Sequence, residues 1–174
     1  MDAVQFLLEE HQKVKNKFVE IENAGPQQRA QQFQQLLPEL KIHEEIEDTY
    51  LYAPVAKDPA AQGTKAAGFE EHQDKDVEKL EQKIQQLLQT DAASDSWLDK
   101  LRDVRDTLMD HVREEEQEIL PEISQIWDWN KLDMAGQQMA AAKQEAMQNP
   151  QHYATAFSQQ MTESARETPT RSER

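Results

Sequence analysis

Apolar residues recur at alternating steps of three and four along four long stretches of the chain, which is the spacing of one face of an α-helix. The first predicted helix runs from about 2 to 23 and the second from about 26 to 54. The third covers about 69 to 87, and the fourth runs from about 97 past Pro121 to Trp127. Proline has no N–H to donate, so Pro38 should bend the second helix or join two helical pieces.

The residues after the fourth helix differ in composition from the rest of the chain. Residues 131–148 are rich in Ala, Met and Gln, and we expect a further helix there, packed across the end of the bundle. From Asn149 the chain is too polar to bury a surface and should be loosely attached or disordered. We therefore predict a helical bundle in residues 1–128, an accessory helix in 129–148 and a flexible polar tail in 149–174.

Composition supports a single all-α domain and excludes several kinds of partner. The 174 residues contain only 4 Gly and 7 Pro, which suits long helices better than a turn-rich sheet protein. The net charge of −15, without a dense Lys/Arg cluster, repels nucleic acid and anionic lipid. Because the chain has no Cys, disulfides and thiolate ligands are excluded, and any metal must be bound by nitrogen and oxygen donors.

The sequence also bears on location. The N-terminus is acidic and amphipathic and lacks the basic start and apolar run of a signal peptide. No stretch approaches the roughly 20 apolar residues that a membrane span needs. We expect a soluble, cytoplasmic protein with no membrane partner.

Histidines interrupt the apolar stripe of each predicted helix. A helix turns about 100° per residue, so a His and a Glu four positions later share one face. Two helices carry such a pair, and the other two carry a single His, so the order of single His and then His-x-x-x-Glu occurs twice. A duplicated helix hairpin accounts for this order. The candidate ligands are His11, His43, Glu47, His72, His111 and Glu115.

The distances of these histidines from the loops place them at one level of the bundle. Antiparallel neighbours bring residues that are equidistant from a short loop to the same depth. A single His on an apolar face is usually a hydrogen-bonded core residue, and a single His-x-x-x-Glu pair is weak evidence. Burying the whole set together without a cation would carry a large desolvation cost, so the set favours a two-metal site over a metal-free structural bundle.

Four motifs surround these candidate ligands: LLEEH at 7–11, HEEIEDTYLYAP at 43–54, EEH at 70–72 and HVREEEQEILP at 111–121. In these motifs the sequence resembles the hemerythrin and HHE cation-binding family, over about residues 5–127. The resemblance implies an up-down four-helix bundle around two non-haem iron ions joined by an oxo or hydroxo bridge. It further implies that Glu47 and Glu115 bridge the irons and that the histidines are terminal ligands. Members bind dioxygen, sense oxygen, nitric oxide or iron, store iron, or handle peroxide.

One position departs from the family pattern. Oxygen-carrying hemerythrins have a second His one turn after the third-helix His, where this chain has Asp76. Asp76 or Glu44 could supply the missing ligand, or water could fill the gap, and this makes tight reversible oxygen carriage less assured. Mixed His and carboxylate sites also accept Mn, Zn and Cu, so iron rests on the resemblance.

The expected function follows from this donor set. We expect a di-iron protein, more a metal- and gas-binding protein than an enzyme, that binds dioxygen or nitric oxide or responds to iron and redox state. The alternative is an enzyme that turns over peroxide or dioxygen. A sensor would need a partner protein to read its state.

Overall fold

The protein, seen in a computed structural model, is built from helices throughout its described part. The structure describes residues 1–149, except for the side chains of residues 70–76, and contains no strand in that part. Within residues 1–149, five long α-helices and two short ones form the fold, and the all-α four-helix bundle is confirmed. In chain order they are α1 (Ala3–Asn23), α2 (Pro26–Glu47), α3 (Ala53–Ala56), α4 (Phe69–Leu88), α5 (Asp95–Glu114), α6 (Leu120–Ile126) and α7 (Trp129–Gln148).

Helices α2 and α5 both continue into a five-residue π-helical segment, Asp48–Tyr52 and Glu115–Ile119, before α3 and α6 begin. In each case the amide that follows the segment bonds to the carbonyl group five residues earlier. Pro54 and Pro121 come directly after these amides. Because a proline cannot donate the next α-helical hydrogen bond, a local change to the wider π register accommodates it without ending the helix.

The structure excludes a join at Pro38, because α2 runs without a break from Pro26 to Glu47, and the alternative of a bend stays a prediction. A proline inside a helix leaves the carbonyl group four residues earlier without its usual donor. That carbonyl group belongs to Gln34, an exposed residue, where solvent can satisfy it.

Two apolar clusters make up the core, and a polar layer separates them along the helices. One cluster includes Leu7, Ile46 and Ile119, and the other includes Phe18 and Leu101. Along α1, α2, and α5 with its π-helical continuation, the described candidate ligands lie between members of the two clusters: His11, His43, Glu47, His111 and Glu115. Burying polar groups inside an apolar core costs free energy, and such local departures from the core pattern are often functional. The polar layer is therefore the candidate functional site.

Helix α7 lies alongside the first half of α1 and does not cross the end of the bundle as expected. Gly136 packs against the backbone of Met1 to Ala3, so close that a Cβ atom there would lie 2.7 Å from the amide nitrogen of Ala3. About two turns later, Lys143 forms an ion pair with the buried carboxylate of Glu10. The small residue permits the approach, and the ion pair fixes the alignment.

Candidate metal centre

The first predicted pair, His43 and Glu47, meets His11 in the polar layer. Nε2 of His43 lies 3.0 Å from Oε1 of Glu47, and Nε2 of His11 lies 3.4 Å from the same oxygen. One ligand atom from each of these residues falls within 4.8 Å of those of the other two. Helices α1 and α2 thus bring two imidazoles and a carboxylate around one small volume.

The second pair joins the same layer from α5. Nε2 of His111 lies 3.3 Å from Oε1 of Glu115, and Nε2 of His11 lies 3.3 Å from Oε2 of that carboxylate. His11 therefore faces Glu47 and Glu115 with one nitrogen atom, so the two pairs form a single centre.

Three atoms at the heart of this centre are buried and have no hydrogen-bond partner among the described residues. They are Nε2 of His11, Oε1 of Glu47 and Oε2 of Glu115. Their side chains are only 1%, 4% and 0% exposed. Such atoms are costly to bury unless something satisfies them, and a cation bound by nitrogen and oxygen donors would satisfy all three. The residues present therefore fit a metal ion.

The carboxylates at the centre hold protons on the histidines of the metal-free protein. Burial lowers the pKa of His11, but the contacts with Glu115 and Glu47 outweigh burial and raise the pKa to about 10. Burial likewise lowers the pKa of His111, and Glu115 raises it to about 9. Burial raises the pKa of Glu115, yet its contacts with His11 and His111 hold that pKa well below its usual range. Protons supply the positive charge that a metal would otherwise bring.

Two aromatic residues that the sequence analysis did not name as ligands complete the wall beside His111. The hydroxyl group of Tyr52 donates a hydrogen bond of 2.7 Å to Oε1 of Glu115. The ring of Phe69 stacks on the ring of His111, with centroids 5.6 Å apart and planes 12° apart. The aromatic rings exclude water from this side of the centre and limit the movement of His111.

Glu116 is another residue that the sequence reasoning missed. Its Oε1 lies 3.1 Å from Nδ1 of His11, on the far side of the ring from Nε2. Nothing in the sequence separates Glu116 from the other acids of the run at 114–118, so only the fold reveals this contact.

The remaining predicted ligands are not brought into this cluster by the described contacts. His72 and Asp76 belong to α4, but their side chains lie outside the described residues, so their roles stay predictions. Glu44 is described, and its carboxylate pairs with Nζ of Lys41 at 2.9 Å. The geometry thus gives Glu44 a partner other than the candidate metal position.

A narrow cavity of about 70 Å³ leads to the centre between α2, α4 and α5. Most of its wall is aliphatic, and His43 and His111 also line it. The wall residues include Leu37, Leu40, Val77, Leu80, Ile84, Leu108, Lys41, Glu44 and Glu81.

A family model described as "Hemerythrin HHE cation binding domain" matches residues 2–123, which contain every histidine and glutamate of this centre. The chain belongs to the hemerythrin HHE cation-binding family. Family membership confirms the resemblance drawn from the sequence motifs and indicates metal binding.

A solved structure is similar to this chain in fold. The crystal structure of a Hemerythrin HHE cation binding domain-containing protein from Mycobacterium kansasii superposes with a TM-score of 0.70. The two chains are 24% identical, and the match covers 90% of this chain and 99% of the other. A comparison with curated protein sequences finds no match.

Within residues 1–149, no helix combines the length and the apolar character that crossing a membrane requires.

Proposed function

We propose that this protein binds two non-haem iron ions in the polar layer and uses them to bind dioxygen or nitric oxide, or to respond to iron and redox state. The observation that carries the proposal is the set of three buried, unpartnered atoms, contributed by His11, Glu47 and Glu115. They come from α1, α2 and the second π-helical segment. A site assembled from three separate elements is unlike a local pair on one helix surface, which needs no ion.

The pattern of contacts supports two ions and not one. Each carboxylate faces histidines from two helices: Glu47 faces His43 and His11, and Glu115 faces His111 and His11. Glu115 meets its two histidines with different oxygen atoms, as a bridging ligand would, whereas both histidines near Glu47 face its Oε1. His72, with Asp76 or water, is predicted to complete the coordination next to His111.

Iron is chosen on family membership together with the donor set. Imidazole and carboxylate suit several first-row metals, so the ligands alone do not select one. A ferrous pair would supply the electrons that binding of dioxygen or nitric oxide draws on. The chain itself orients the ligands, keeps water out through the burial of His11 and Glu115, and admits small molecules through the apolar cavity.

The dimensions of the cavity favour a small neutral ligand. About 70 Å³ of space holds a diatomic molecule, since a water molecule occupies about 30 Å³ in the liquid. The largely apolar wall disfavours large polar substrates. Dioxygen and nitric oxide fit this description, and peroxide fits by size. A partner protein would be needed to pass on the state of the centre if the protein is a sensor.

Anaerobic titration with ferrous iron tests this proposal. We expect two ions per wild-type chain, followed by near-ultraviolet charge-transfer absorption after exposure to dioxygen and a distinct spectrum with nitric oxide. His43→Ala and Glu115→Gln should bind fewer ions. Glu45→Gln is the matched control, because Glu45 lies between His43 and Glu47 in the sequence but on the exposed face of α2. This variant should bind two iron ions per chain. A wild-type chain that binds no iron, or that binds as much as His43→Ala does, would overturn the proposal.

A second candidate, turnover of peroxide or dioxygen, is favoured by Tyr52. A buried phenol that is hydrogen-bonded to a predicted bridging carboxylate can exchange a proton with the centre. This candidate predicts peroxide consumption by iron-loaded wild-type protein above that of free iron, and a marked loss in Tyr52→Phe. Absence of turnover in wild-type protein that binds two irons would leave ligand binding as the function.

A further inference from the structure

Glu116 and the centre contact opposite nitrogen atoms of His11. Oε1 of Glu116 lies 3.1 Å from Nδ1, while Nε2 faces Glu47 and Glu115 at 3.4 and 3.3 Å. An ionised carboxylate can only accept a hydrogen bond, so Nδ1 must carry the hydrogen in this contact. In a neutral ring the lone pair is then on Nε2, the atom that points into the buried layer.

We propose that Glu116 is a positioning residue for the metal centre, which fixes the tautomer and the ring orientation of His11 so that Nε2 is presented to the ion. The inference rests on the proposed metal binding and adds to it a residue that does not touch the metal. Carboxylates that accept a hydrogen bond from a metal-bound histidine orient the ring and make it a better donor, and their loss costs about 10- to 100-fold in metal affinity.

Lys15 holds Glu116 in the correct position for this role. It follows His11 by one turn on α1, and its Nζ donates to both carboxylate oxygens of Glu116, at 2.8 and 3.1 Å. The two side chains are 34% and 25% exposed, so this ion pair is partly shielded from solvent. His11 and Lys15 therefore both hydrogen-bond to the carboxylate of Glu116, which lies in the second π-helical segment.

The neighbouring acids of the run provide a contrast. Glu114 and Glu118 both pair with Nζ of Lys65, each at 2.7 Å, on the outer side of the bundle. Consecutive residues of a helix point about 100° apart, so Glu115 can enter the layer while Glu116 faces α1. Glu118, at 57% exposure, is therefore a matched control for Glu116: it has the same chemistry in the same segment without contact to a histidine.

The test compares the ferrous dissociation constants of full-length variants, measured anaerobically by competition with a chelator, with the urea stability of each metal-free variant. Glu116→Ala should weaken iron binding about 10- to 100-fold. Glu116→Gln keeps an acceptor oxygen and should recover most of that loss. Glu118→Ala should bind as the wild type does. Lys15→Met removes only the partly exposed ion pair and should change affinity by about fivefold or less.

Three results would overturn the inference. If Glu116→Ala binds iron as tightly as Glu118→Ala does, the inference is wrong, although the proposed metal site still stands. If Glu116→Ala and Lys15→Met lose the same iron affinity, and both lose stability to the same extent, then Glu116 acts only by joining α1 to the second π-helical segment. If the wild type binds no iron, the proposed function falls together with the inference. Glu116→Met, which preserves side-chain volume, takes the place of Glu116→Ala if that variant does not fold, with the same expected loss.

Discussion

Tyr52 and Glu115, 63 positions apart in the chain, are joined in the buried layer by a hydrogen bond of 2.7 Å from the phenol hydroxyl group to Oε1. Tyr52 is the last residue of the first π-helical segment, and Glu115 is the first residue of the second. The two register changes therefore meet at the candidate metal centre. π-helical turns occur often at functional sites, and here they set the direction of both side chains.

Replacement of Tyr52 by Phe should destabilise the metal-free protein by about 1 to 3 kcal/mol, because one oxygen of a fully buried carboxylate loses the hydrogen bond that the phenol donates. Urea unfolding of the metal-free protein measures this change. Tyr50→Phe is the control, since Tyr50 belongs to the same segment but lines the groove beside α7. Equal stability of the two variants would show that the Tyr52 hydrogen bond contributes nothing.

The metal-free protein should lose stability as the pH rises from 6.5 to about 10. The pKa values of His11 and His111 are raised on folding, to about 10 and about 9. The stability that their protonation contributes is fully present below the unfolded value of 6.5 and disappears as the pH passes through the folded values.

Urea unfolding at several pH values checks this expectation, with Glu115→Gln as the comparison. In that variant the Glu115 carboxylate no longer raises the pKa values of His11 and His111. Its loss of stability with rising pH should therefore be smaller and should occur at lower pH. Wild-type stability that stays level or rises across the same range would contradict the assignment of protons to the two histidines.

Sequence periodicity was sufficient to place the polar layer. The apolar stripe around His11 runs through Leu7 and Phe18, which the structure buries in different clusters on either side of the layer. The pairs His43 with Glu47 and His111 with Glu115 meet because one helical turn separates their members. The sequence also predicted helix α7 almost to the residue. These features depend on local geometry, which a sequence carries.

Features that depend on packing between distant helices could not be predicted in this way. The π-helical segments shift the register before Pro54 and Pro121, and a count at 3.6 residues per turn does not include that shift. Which acid of the run at 114–118 turns toward His11 depends on that shift and on how α1 docks. The position of α7 depends on the close backbone contact at Gly136. The composition of this segment predicts a helix but not which helix it packs against.

Gly136→Ala should destabilise the protein by about 1 to 3 kcal/mol, because the new methyl group would overlap the backbone of Met1 to Ala3. At an exposed helix position, Gly→Ala would stabilise the protein by about 1 kcal/mol through helix propensity. The change in stability expected at Gly136 therefore has the opposite sign. Thermal unfolding measures the change, with the exposed Gln138→Ala on the same helix as the control. A stabilised Gly136→Ala variant would mean that α7 does not pack on α1 as described.

Asp58 should stabilise the protein at neutral pH and lose that effect in acid. Lys131, at 2.7 Å, lowers the pKa of Asp58 most, and the amide of Ala60 and the indole N–H of Trp127 also bond to the carboxylate. A lowered pKa contributes stability above the unfolded value of 3.8 that is lost as the pH falls through the folded value.

The Asp58→Asn variant should therefore be less stable than the wild type at neutral pH, and the difference should narrow below pH 3.8. Chemical unfolding as a function of pH follows this difference. Asp99→Asn, which alters an ion-paired carboxylate with 77% exposure, should show little change at any pH. A difference for Asp58→Asn that stays constant down to acid pH would exclude charge as its cause.

Anomalous diffraction at the iron absorption edge, from crystals of the anaerobically loaded protein, tests the two-ion centre most directly. We predict two peaks in the polar layer, one beside His11, His43 and Glu47 and the other beside His111 and Glu115. A single peak, or peaks only at surface carboxylates, would contradict the proposal that these residues bind a pair of iron ions.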